Sequence, residues 1–451
     1  MGPLNQRAKA KLHSINAALE RGGVLDVKRT INTGLAPAEV AHLIESSPPK
    51  VRKMLWELIE KENEGEVLQH LSDEISASFL NEMSAAQLVD LTSELDTDDV
   101  ADLLQQLPAH VSNDVLRGMD SADRSRLEAI LSYPEDSAGG LMNTDTVTVR
   151  PDITLDVVLR YLRRHRTLPE MTDNLLVINR SHEFIGILPI NKLLVSDLNQ
   201  TVREVMTTDI QILHASMDEE DVAKIFERHD LVSAPVVDNH GKLIGRITID
   251  DVVDVIRDTA DHSLMSMAGL DEEEDTFAPA LKTGRRRAVW LGINLITAFI
   301  ASAVIGLFDQ TIERLVALAV LMPIVASMGG IAGSQVLTLV IRGQALGHIS
   351  SSNITWLMNR ELAVGFFNGL LWATVIAGIT FFWFNDPLLA AIIAAAIIIN
   401  LLVAVLSGAA LPIILKRQRI DPALAGGVIL TTITDVVGFF SFLGLASIFY
   451  L

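Results

Sequence analysis

Five long apolar runs in the C-terminal part of the chain constrain its fold more than any other feature. They are Ala288–Phe308, Leu315–Ile341, Leu362–Phe384, Leu388–Leu415 and Pro422–Leu451. Each has at least 21 residues, and about 20 residues of helix cross the hydrocarbon core of a bilayer. Helices of soluble proteins are rarely so long. The sequence therefore predicts an integral membrane domain of five α-helices in contact with lipid.

The charged residues are divided unevenly along the chain. Residues 281–451 hold 10 basic and 6 acidic side chains, whereas residues 1–280 hold 26 and 50, a net charge of −24. This division excludes a simple soluble enzyme, and the acidic half argues against a nucleic-acid partner. The chain has no Cys, which excludes disulfides and thiolate metal sites. Met1–Gly22 has no apolar core, so no signal peptide is expected.

Basic residues predict the orientation of the membrane domain. One side of the predicted membrane carries nine of them: Lys282, Arg285–Arg287, Arg342, Arg360, Lys416, Arg417 and Arg419. The other side carries Arg314. Because Lys and Arg accumulate on the cytoplasmic side, we expect cytoplasmic N-terminal domains, an external C-terminus and a location in the plasma (inner) membrane.

The second run combines proline with closely spaced small residues. Pro323 removes a backbone donor inside the helix and frees a carbonyl, and glycines four apart let helices approach closely. Gly330 and Gln335 follow in the same run. Helix contact and the lining of a cavity explain this run equally well. We treat Pro323, Gly330 and Gln335 as candidate pore-lining residues.

Asp435 is the ionisable residue that lies inside the five apolar runs. It follows Asp421 by 14 residues, about 20 Å along a helix, which places it near mid-membrane. Helical periodicity puts Gly427, Thr431 and Gly438 on its face, with Thr434 at the flank. We treat Thr431 and Thr434 as further candidate pore-lining residues. A carboxylate at this depth is costly and usually marks an ion path. A protonated Asp bonded to a neighbouring helix is the alternative.

The residue types around Asp435 indicate the kind of cation. Carboxylate, hydroxyl and carbonyl oxygens suit Mg²⁺, Ca²⁺ or Mn²⁺ and suit soft metals poorly. One carboxylate per chain is little charge for a dehydrated divalent ion, whereas Mg²⁺ keeps much of its water. In a two-fold dimer, two copies of Asp435 could face each other across the axis.

Residues 143–256 contain an internal repeat. Met142–Asp145 opens one copy and Met206–Asp209 opens the other, 64 residues later. Each copy predicts the order β-α-β-β-α, which resembles a pair of CBS domains. The second copy has Thr248 and Asp251 in the Ser/Thr-x-x-Asp pattern by which such domains bind ribose; the first lacks it. We therefore expect ATP or another adenine nucleotide at one site, with use of the fold without nucleotide as the alternative.

The segment before the repeat is predicted to be entirely helical. Ala38–Ile44 recurs loosely as Asp98–Leu104, and each copy is followed by a break that contains proline. Stacked short helices of this kind form a solenoid. The segment has no zinc-protease motif, P-loop or nucleophile elbow. We therefore do not expect an enzyme.

Taken in order, these parts resemble the MgtE family of magnesium channels and transporters. The motifs that support the resemblance are Tyr133–Gly139, the CBS pair, Met322–Gln335 and Thr431–Gly438. The resemblance implies a multidomain membrane protein with an all-α N-terminal solenoid, an α/β CBS-domain pair, a connecting plug helix and a five-helix α transmembrane domain. The predicted divisions are 1–34 (polar segment), 35–135 (acidic solenoid), 136–258 (tandem CBS domains), 259–284 (plug helix and linker) and 285–451 (transmembrane domain).

The resemblance also implies a function and a set of sites. It implies a homodimeric Mg²⁺ channel with its pore on the two-fold axis and Asp435 as the principal pore ligand. Mg²⁺ would be both substrate and regulator, because cytoplasmic Mg²⁺ would close the channel by bridging acidic surfaces. The residues assigned to that bridging by position are Asp98, Asp102, Asp218, Glu220, Asp230, Asp251 and Asp254.

The chain departs from the family pattern at two places. Ile331 occupies a position in the second run where the family usually has Asn, which bears on ion selectivity. Thr259, His262 and Ser263 stand in the plug where the family commonly has acidic residues, and the acidic run Asp271–Asp275 lies nearby in another register. We therefore expect weaker or displaced gating by Mg²⁺ at the plug.

Two other functions are kept as alternatives. One is a broader divalent-cation channel that passes Mn²⁺, Co²⁺ or Ca²⁺. The other is a non-conducting, membrane-anchored nucleotide sensor whose apolar runs serve as a dimer anchor.

Overall fold

The computed structural model describes residues 23–92, 95–165, 168–169, 171–270, 274–350 and 352–450. The described residues fall into two compact units. The first comprises Met1–Ala260 with Glu273–Ala278, and the second comprises Asp261–Glu272 with Pro279–Leu451. Most of the predicted polar segment 1–34, and residues 271–273 of the acidic run, lie outside the described residues.

The described part of residues 23–130 forms nine short helices. They are α1 (Val24–Gly34), α2 (Pro37–Glu45), α3 (Pro49–Trp56), α4 (Lys61–Gln69), α5 (Asp73–Leu80), α6 (Ala85–Thr92), α7 (Thr97–Gln105), α8 (Ala109–Gly118) and α9 (Ser121–Ile130). Alternate helices pack together, α2 on α4, α4 on α6 and α6 on α8. Pro37 and Pro49 begin helices, because proline lacks the donor that a first turn leaves unused. The all-helical prediction is confirmed.

Two three-stranded sheets follow, one in each copy of the predicted repeat. The strands are β1 (Thr148–Val149), β2 (Asn174–Ile178), β3 (Phe184–Pro189), β4 (Leu213–His214), β5 (Ser233–Val237) and β6 (Leu243–Thr248). In each sheet the middle strand pairs parallel with the first and antiparallel with the third. The register shifts at matching places, Val177/Ile178 and Val236/Val237. The predicted tandem α/β repeat is therefore confirmed.

The helices of the repeat are α10 (Leu155–His165), α11 (Ile190–Val195), α12 (Val202–Val205), α13 (Glu219–His229) and α14 (Ile249–Met267). Helix α14 continues without interruption past residue 258, which the sequence analysis took as the end of the CBS pair. The first part of the predicted plug segment, residues 259–267, is therefore continuous with the last helix of the CBS pair. The division between the two units falls within α14, after Ala260.

The second unit contains, among its described residues, five helices long and apolar enough to cross a membrane. They are span 1, α15 (Ala280–Gly306); span 2, α17 (Ala317–Ala345); span 3, α18 (Ile354–Phe384); span 4, α19 (Pro387–Arg417); and span 5, α20 (Pro422–Tyr450). The short helix α16 (Asp309–Arg314) joins spans 1 and 2. Span 4 is central and packs on spans 2, 3 and 5, whereas span 1 packs on span 5. The predicted five-helix domain is confirmed.

Glycines allow these spans to approach closely. A Cβ atom at Gly333 would lie 2.9 Å from Leu430 of span 5, and one at Gly365 would lie 2.6 Å from Val405 of span 4. Both distances are too short for carbon atoms, so a larger residue at either position would require Leu430, Val405 or the helix that carries it to move. The predicted role of closely spaced glycines in helix contact is borne out at Gly333 of span 2, and Gly365 of span 3 packs in the same way.

Candidate metal centres

The first turn of α7 gathers carboxylates. Asp96 precedes the helix, and Asp98 and Asp99 lie in its first turn, where the positive end of the helix dipole favours negative charge. One ligand atom from each of these three side chains lies within 4.8 Å of the others. Asp251, in the first turn of α14, adds its charge to those of Asp98 and Asp99. We call Asp96, Asp98, Asp99 and Asp251 the α7–α14 cluster.

Asn143 connects the cluster to the second CBS sheet. Its side-chain amide donates to Asp96 Oδ2 and to Asp98 Oδ1, each at 3.1 Å. Its backbone exchanges hydrogen bonds of 2.8 and 2.9 Å with Arg246 of β6. Asn143 is buried, so these contacts fix the start of α7 against the CBS pair.

Burial and the neighbouring negative charges raise the pKa values of the carboxylates in the cluster. Burial, followed by the charges of Asp251 and Asp99, raises the pKa of Asp98 to about 9. Burial and the charge of Asp251 raise the pKa of Asp99 to about 7. Burial and Asp250 raise the pKa of Asp251 to about 6. Such shifts mean that a cation or protons must neutralise the cluster when it is packed.

Asp102 and Asp254 flank this cluster. Close packing by protein atoms, with the charges of Asp99 and Glu135, raises the pKa of Asp102. Its side chain is nevertheless exposed, so water screens the effect. Asp254 is also exposed. The structure thus brings Asp98, Asp102, Asp251 and Asp254 to one region, in which Asp98 is buried and Asp251 is half-buried.

Asp218 and Glu220 lie in a different acidic group, at the start of α13. Asp218 caps that helix by accepting a hydrogen bond from the Glu220 N–H at 3.1 Å. Between them, Glu219 has its pKa raised to about 7 by burial and by the charges of Asp136 and Asp218. Asp230 ends the same helix in a left-handed conformation, φ 50°, and is exposed. Since α13 has 11 residues, about 16 Å, Asp230 lies at the opposite end of that helix from Asp218 and Glu220.

The candidate ribose-binding residues contact each other. The Thr248 hydroxyl group donates to Asp251 Oδ2 at 3.0 Å, and the Thr248 N–H donates to the same oxygen at 3.1 Å. Thr248 also bonds to Asp250. Asp251 therefore lies both in the nucleotide pattern and in the α7–α14 cluster.

In the membrane unit, Asp435 lies on a partly exposed stripe of span 5. Thr431 is exposed, Asp435 is half-buried, and a Cβ atom at Gly427 would meet nothing within 4 Å. Among the described residues, no hydrogen bond or ion pair is recorded for the Asp435 carboxylate. Gly438, expected on the same face, instead packs against Asn400 of span 4.

The other pore candidates divide between surface and interior. On span 2, Pro323 and Gln335 are exposed, and a Cβ atom at Gly330 would meet nothing within 4 Å. Ile331 beside it is 56% exposed. Thr434 of span 5 is fully buried in the protomer, and its hydroxyl group donates to the Thr431 carbonyl at 3.0 Å. The structure therefore places Thr434 away from the exposed stripe.

The plug residue His262 lies near the start of span 5. Its Nε2 atom is 3.4 Å from Asp421 Oδ2. Asp421 also accepts hydrogen bonds from the N–H groups of Ala423 and Leu424, so it caps the helix that carries Asp435. Thr259 and Ser263 are half-buried on α14.

Several residues of these sites were not singled out from the sequence. Asp96 and Asp99 belong to the visible acidic run at residues 96–99, which signalled them. Asn143 had no such signal, because its partners lie 45 and 47 residues away. Span 3 begins eight residues before its apolar run, which brings Glu361 into a helix; it is buried and bonded to Arg360 at 2.6 Å.

Three models of known protein families match the chain in the predicted order. The model of the MgtE intracellular N domain matches residues 35–136, and the CBS domain model matches residues 138–197 and 202–258. The MgtE model, described as a divalent cation transporter, matches residues 322–445.

Curated proteins and a solved structure with similar sequences are also MgtE proteins. The chain is 28% identical over 431 residues to the magnesium transporter MgtE of Bacillus subtilis, covering 96% of both chains. A crystal structure of the cytosolic domain of the Mg²⁺ channel MgtE in complex with ATP matches with a TM-score of 0.50 and 32% identity, covering 54% of this chain and 99% of that chain. The magnesium transporter MgtE of Thermus thermophilus is 30% identical over 441 residues, covering 96% of this chain and 97% of that protein. With this similarity along nearly its whole length and the same order of domains, the chain belongs to the MgtE family.

Proposed function

We propose that this protein is a Mg²⁺ channel that mediates magnesium uptake and is closed by Mg²⁺ bound among its acidic cytoplasmic residues. Relatives of nearly the same length are named magnesium transporters. The observation that carries the proposal is Asp435, a half-buried carboxylate on an exposed stripe of small and hydroxylated residues. A carboxylate inside a membrane span is costly and usually marks an ion path.

The pore belongs to a homodimer in this proposal. The stripe of Gly427, Thr431 and Asp435 has open space beside it in the protomer. A second copy placed against it about a two-fold axis would set two Asp435 carboxylates on opposite sides of one passage. The further candidates for its wall are the exposed residues Pro323 and Gln335 of span 2, the half-buried Gly330 and the exposed Thr431.

Gating rests on the α7–α14 cluster. Asp98, Asp99 and Asp251 are crowded enough for their pKa values to be raised. Mg²⁺ binds hard oxygen ligands, so it would stabilise the arrangement in which α7 contacts α14. A ligand that prefers one arrangement shifts the population toward it, and cytoplasmic Mg²⁺ would thereby favour the closed channel. The α13 group with Asp218 and Glu220 is a second candidate surface, and Asp230 stays a prediction of the family pattern alone.

Cysteine cross-linking tests the dimeric pore directly, because the natural chain has no Cys. Thr431→Cys should form a disulfide-linked dimer on oxidation, and its reaction with a charged, water-soluble thiol reagent should block Mg²⁺ flux. Phe382→Cys is the control, because Phe382 is 87% exposed on span 3, where we expect lipid. Equal behaviour of the two variants contradicts a pore along the stripe.

Two alternatives are separated by other measurements. A broader divalent-cation channel is favoured by Ile331, an apolar side chain exposed beside the open Gly330. Competition of Mn²⁺, Co²⁺ and Ca²⁺ with Mg²⁺ flux distinguishes it. A non-conducting nucleotide sensor predicts tight ATP binding and no ion flux in proteoliposomes.

Adenine nucleotide is proposed as a second ligand of the CBS pair. Support comes from the Thr248 and Asp251 pattern and from the ATP complex of a related cytosolic domain. Thr248→Val, which removes the hydroxyl group but keeps the shape, should weaken ATP binding in calorimetry. We retain the predicted domain divisions and the cytoplasmic N-terminal orientation in the inner membrane as part of this proposal, with residues 259–267 of the plug in the second half of α14.

A further inference from the structure

Span 4 carries a buried amide at the centre of the membrane unit. Asn400 is 1% exposed. Its Nδ2 atom donates to the carbonyl oxygen of Val325, on span 2, at 2.8 Å. A side-chain hydrogen bond therefore joins spans 2 and 4 where their other contacts are apolar.

The same amide contacts backbone on two different spans. A Cβ atom at Gly329 of span 2 would lie 2.3 Å from Asn400 Nδ2 and 3.1 Å from Oδ1. One at Gly438 of span 5 would lie 2.8 Å from Nδ2. The amide group thus fills the place that side chains at both glycines would need. Asn400 sets the spacing among spans 2, 4 and 5 at this level.

The Asn400 Oδ1 atom is buried with no hydrogen-bond partner among the described residues. Burying an unpaired amide oxygen in an apolar environment costs free energy. An apolar side chain would fill a helix contact without that cost. Packing alone therefore does not explain the amide, whereas a role in fixing the positions of spans 2 and 5 against span 4 does.

We propose that Asn400 is a positioning residue for the pore, which holds span 5 at the height and rotation that aim Asp435 into the ion path. Gly438 lies three residues after Asp435, less than one helical turn, so movement of span 5 at Gly438 moves the carboxylate as well. This inference rests on the proposed pore function of Asp435. The hydrogen bond to Val325 fixes the amide group. Gly329 of span 2 and Gly438 of span 5 pack against it, so its position sets the positions of these two spans.

The first test measures Mg²⁺ flux against Mg²⁺ concentration for Asn400→Leu in proteoliposomes. Leu keeps a similar volume but removes the donor. The parent and the variant are reconstituted in equal amounts. We expect the half-saturating Mg²⁺ concentration to rise about tenfold, the size of effect that loss of one hydrogen bond produces. A purely structural role would lower the amount of assembled protein and leave half-saturation unchanged, and that result overturns the proposal.

The second test asks whether removing the Asn400 side chain relieves a steric clash introduced at a neighbouring glycine. It does not require that Asn400→Leu assembles. Gly329→Ala and Gly438→Ala should each impair flux, because the new methyl group meets Asn400. Asn400→Ala removes the opposing atoms, so each double variant should recover flux relative to its glycine variant, up to the level of Asn400→Ala alone with its raised half-saturation. Gly378→Ala on span 3 is the control, since a Cβ atom there meets nothing within 4 Å. Absence of recovery in both double variants contradicts the proposal.

Asp435→Asn in the same assay separates this inference from the proposed function. If Asp435→Asn conducts like the parent, the pore assignment itself fails. If Asp435→Asn is inactive while Asn400→Leu keeps the half-saturation of the parent, the pore assignment stands and only the role of Asn400 is rejected.

Discussion

The carboxylate of Asp98 accepts a hydrogen bond of 3.1 Å from the side-chain amide of Asn143, 45 residues further along the chain. That bond brings a neutral donor to a group of acids whose pKa values are raised by burial and by each other. Hydrogen bonds from one amide do not neutralise several carboxylates. We therefore expect a divalent cation to strengthen the contact between α7 and the CBS pair.

Removing charge from the cluster should leave the channel open. We expect Asp98→Asn with Asp251→Asn to conduct at millimolar cytoplasmic Mg²⁺, because the metal loses its two most central ligands. Patch-clamp currents and Mg²⁺-dependent protection from limited proteolysis are the readouts. Asp152→Asn is the matched control, since Asp152 is an exposed acid of the first CBS copy that belongs to none of the predicted sites. Parent-like closure of the double variant argues against this site.

The cluster should also respond to pH. The pKa of Asp98 is raised to about 9 and that of Asp99 to about 7, above the ordinary value of about 3.9. Carboxyl groups with raised pKa values stabilise the packed state at low pH, and that stability is lost as pH rises through about 7 to 9.

Because Mg²⁺ replaces those protons, the rise in melting temperature caused by Mg²⁺ should be larger at pH 9 than at pH 6. Differential scanning fluorimetry of the full-length protein measures it. Replacement of Asp98 and Asp99 by Asn should remove most of the difference between the two pH values. A shift that is independent of pH in the parent contradicts the assignment.

A buried ion pair connects the segment that follows α14 with helix α3 of the helical N-terminal part. Arg52 bonds to Asp275 at 2.5 and 2.7 Å, and its guanidinium lies 5.8 Å from the centre of the Phe277 ring. Asp275→Asn should lower the free energy of unfolding of this unit by about 3–5 kcal/mol, because it leaves a buried charge unpaired. Urea unfolding followed by the fluorescence of Trp56, on the same helix as Arg52, measures it. Glu82→Gln breaks the exposed pair with Lys53 and should have little effect; equal effects reject the prediction.

Ile331 should influence which divalent ion passes. Ile331→Asn places an amide oxygen on the exposed face of span 2, which favours a hydrated ion that is bound through oxygen ligands. We expect the ratio of Mg²⁺ to Ca²⁺ flux to rise, measured in the same vesicles with ion-specific dyes. Leu339→Asn, an equal change at another exposed position of span 2, should leave the ratio unchanged.

The sequence predicted the elements well and the faces of the helices less well. Hydropathy predicted the five spans, but an apolar run stops at the first charged residue whereas the helix continues beyond it. Spans 1 and 3 therefore start eight residues earlier than their apolar runs. Periodicity placed Asp435 and Gly438 on one face, whereas packing on span 4 turns Gly438 inward. Asn400 is visible in the sequence as one amide in a long apolar run, but the sequence does not show that spans 2 and 5 pack against it.

Mg²⁺ flux into proteoliposomes by Asp435→Asn tests the central claim most directly. Asn keeps the size of the side chain and removes its charge, and Glu313→Gln, an exposed acid of α16, is the matched control. The account predicts saturable flux for the parent and for Glu313→Gln, and flux at the level of empty vesicles for Asp435→Asn. Parent-like flux through Asp435→Asn would contradict it.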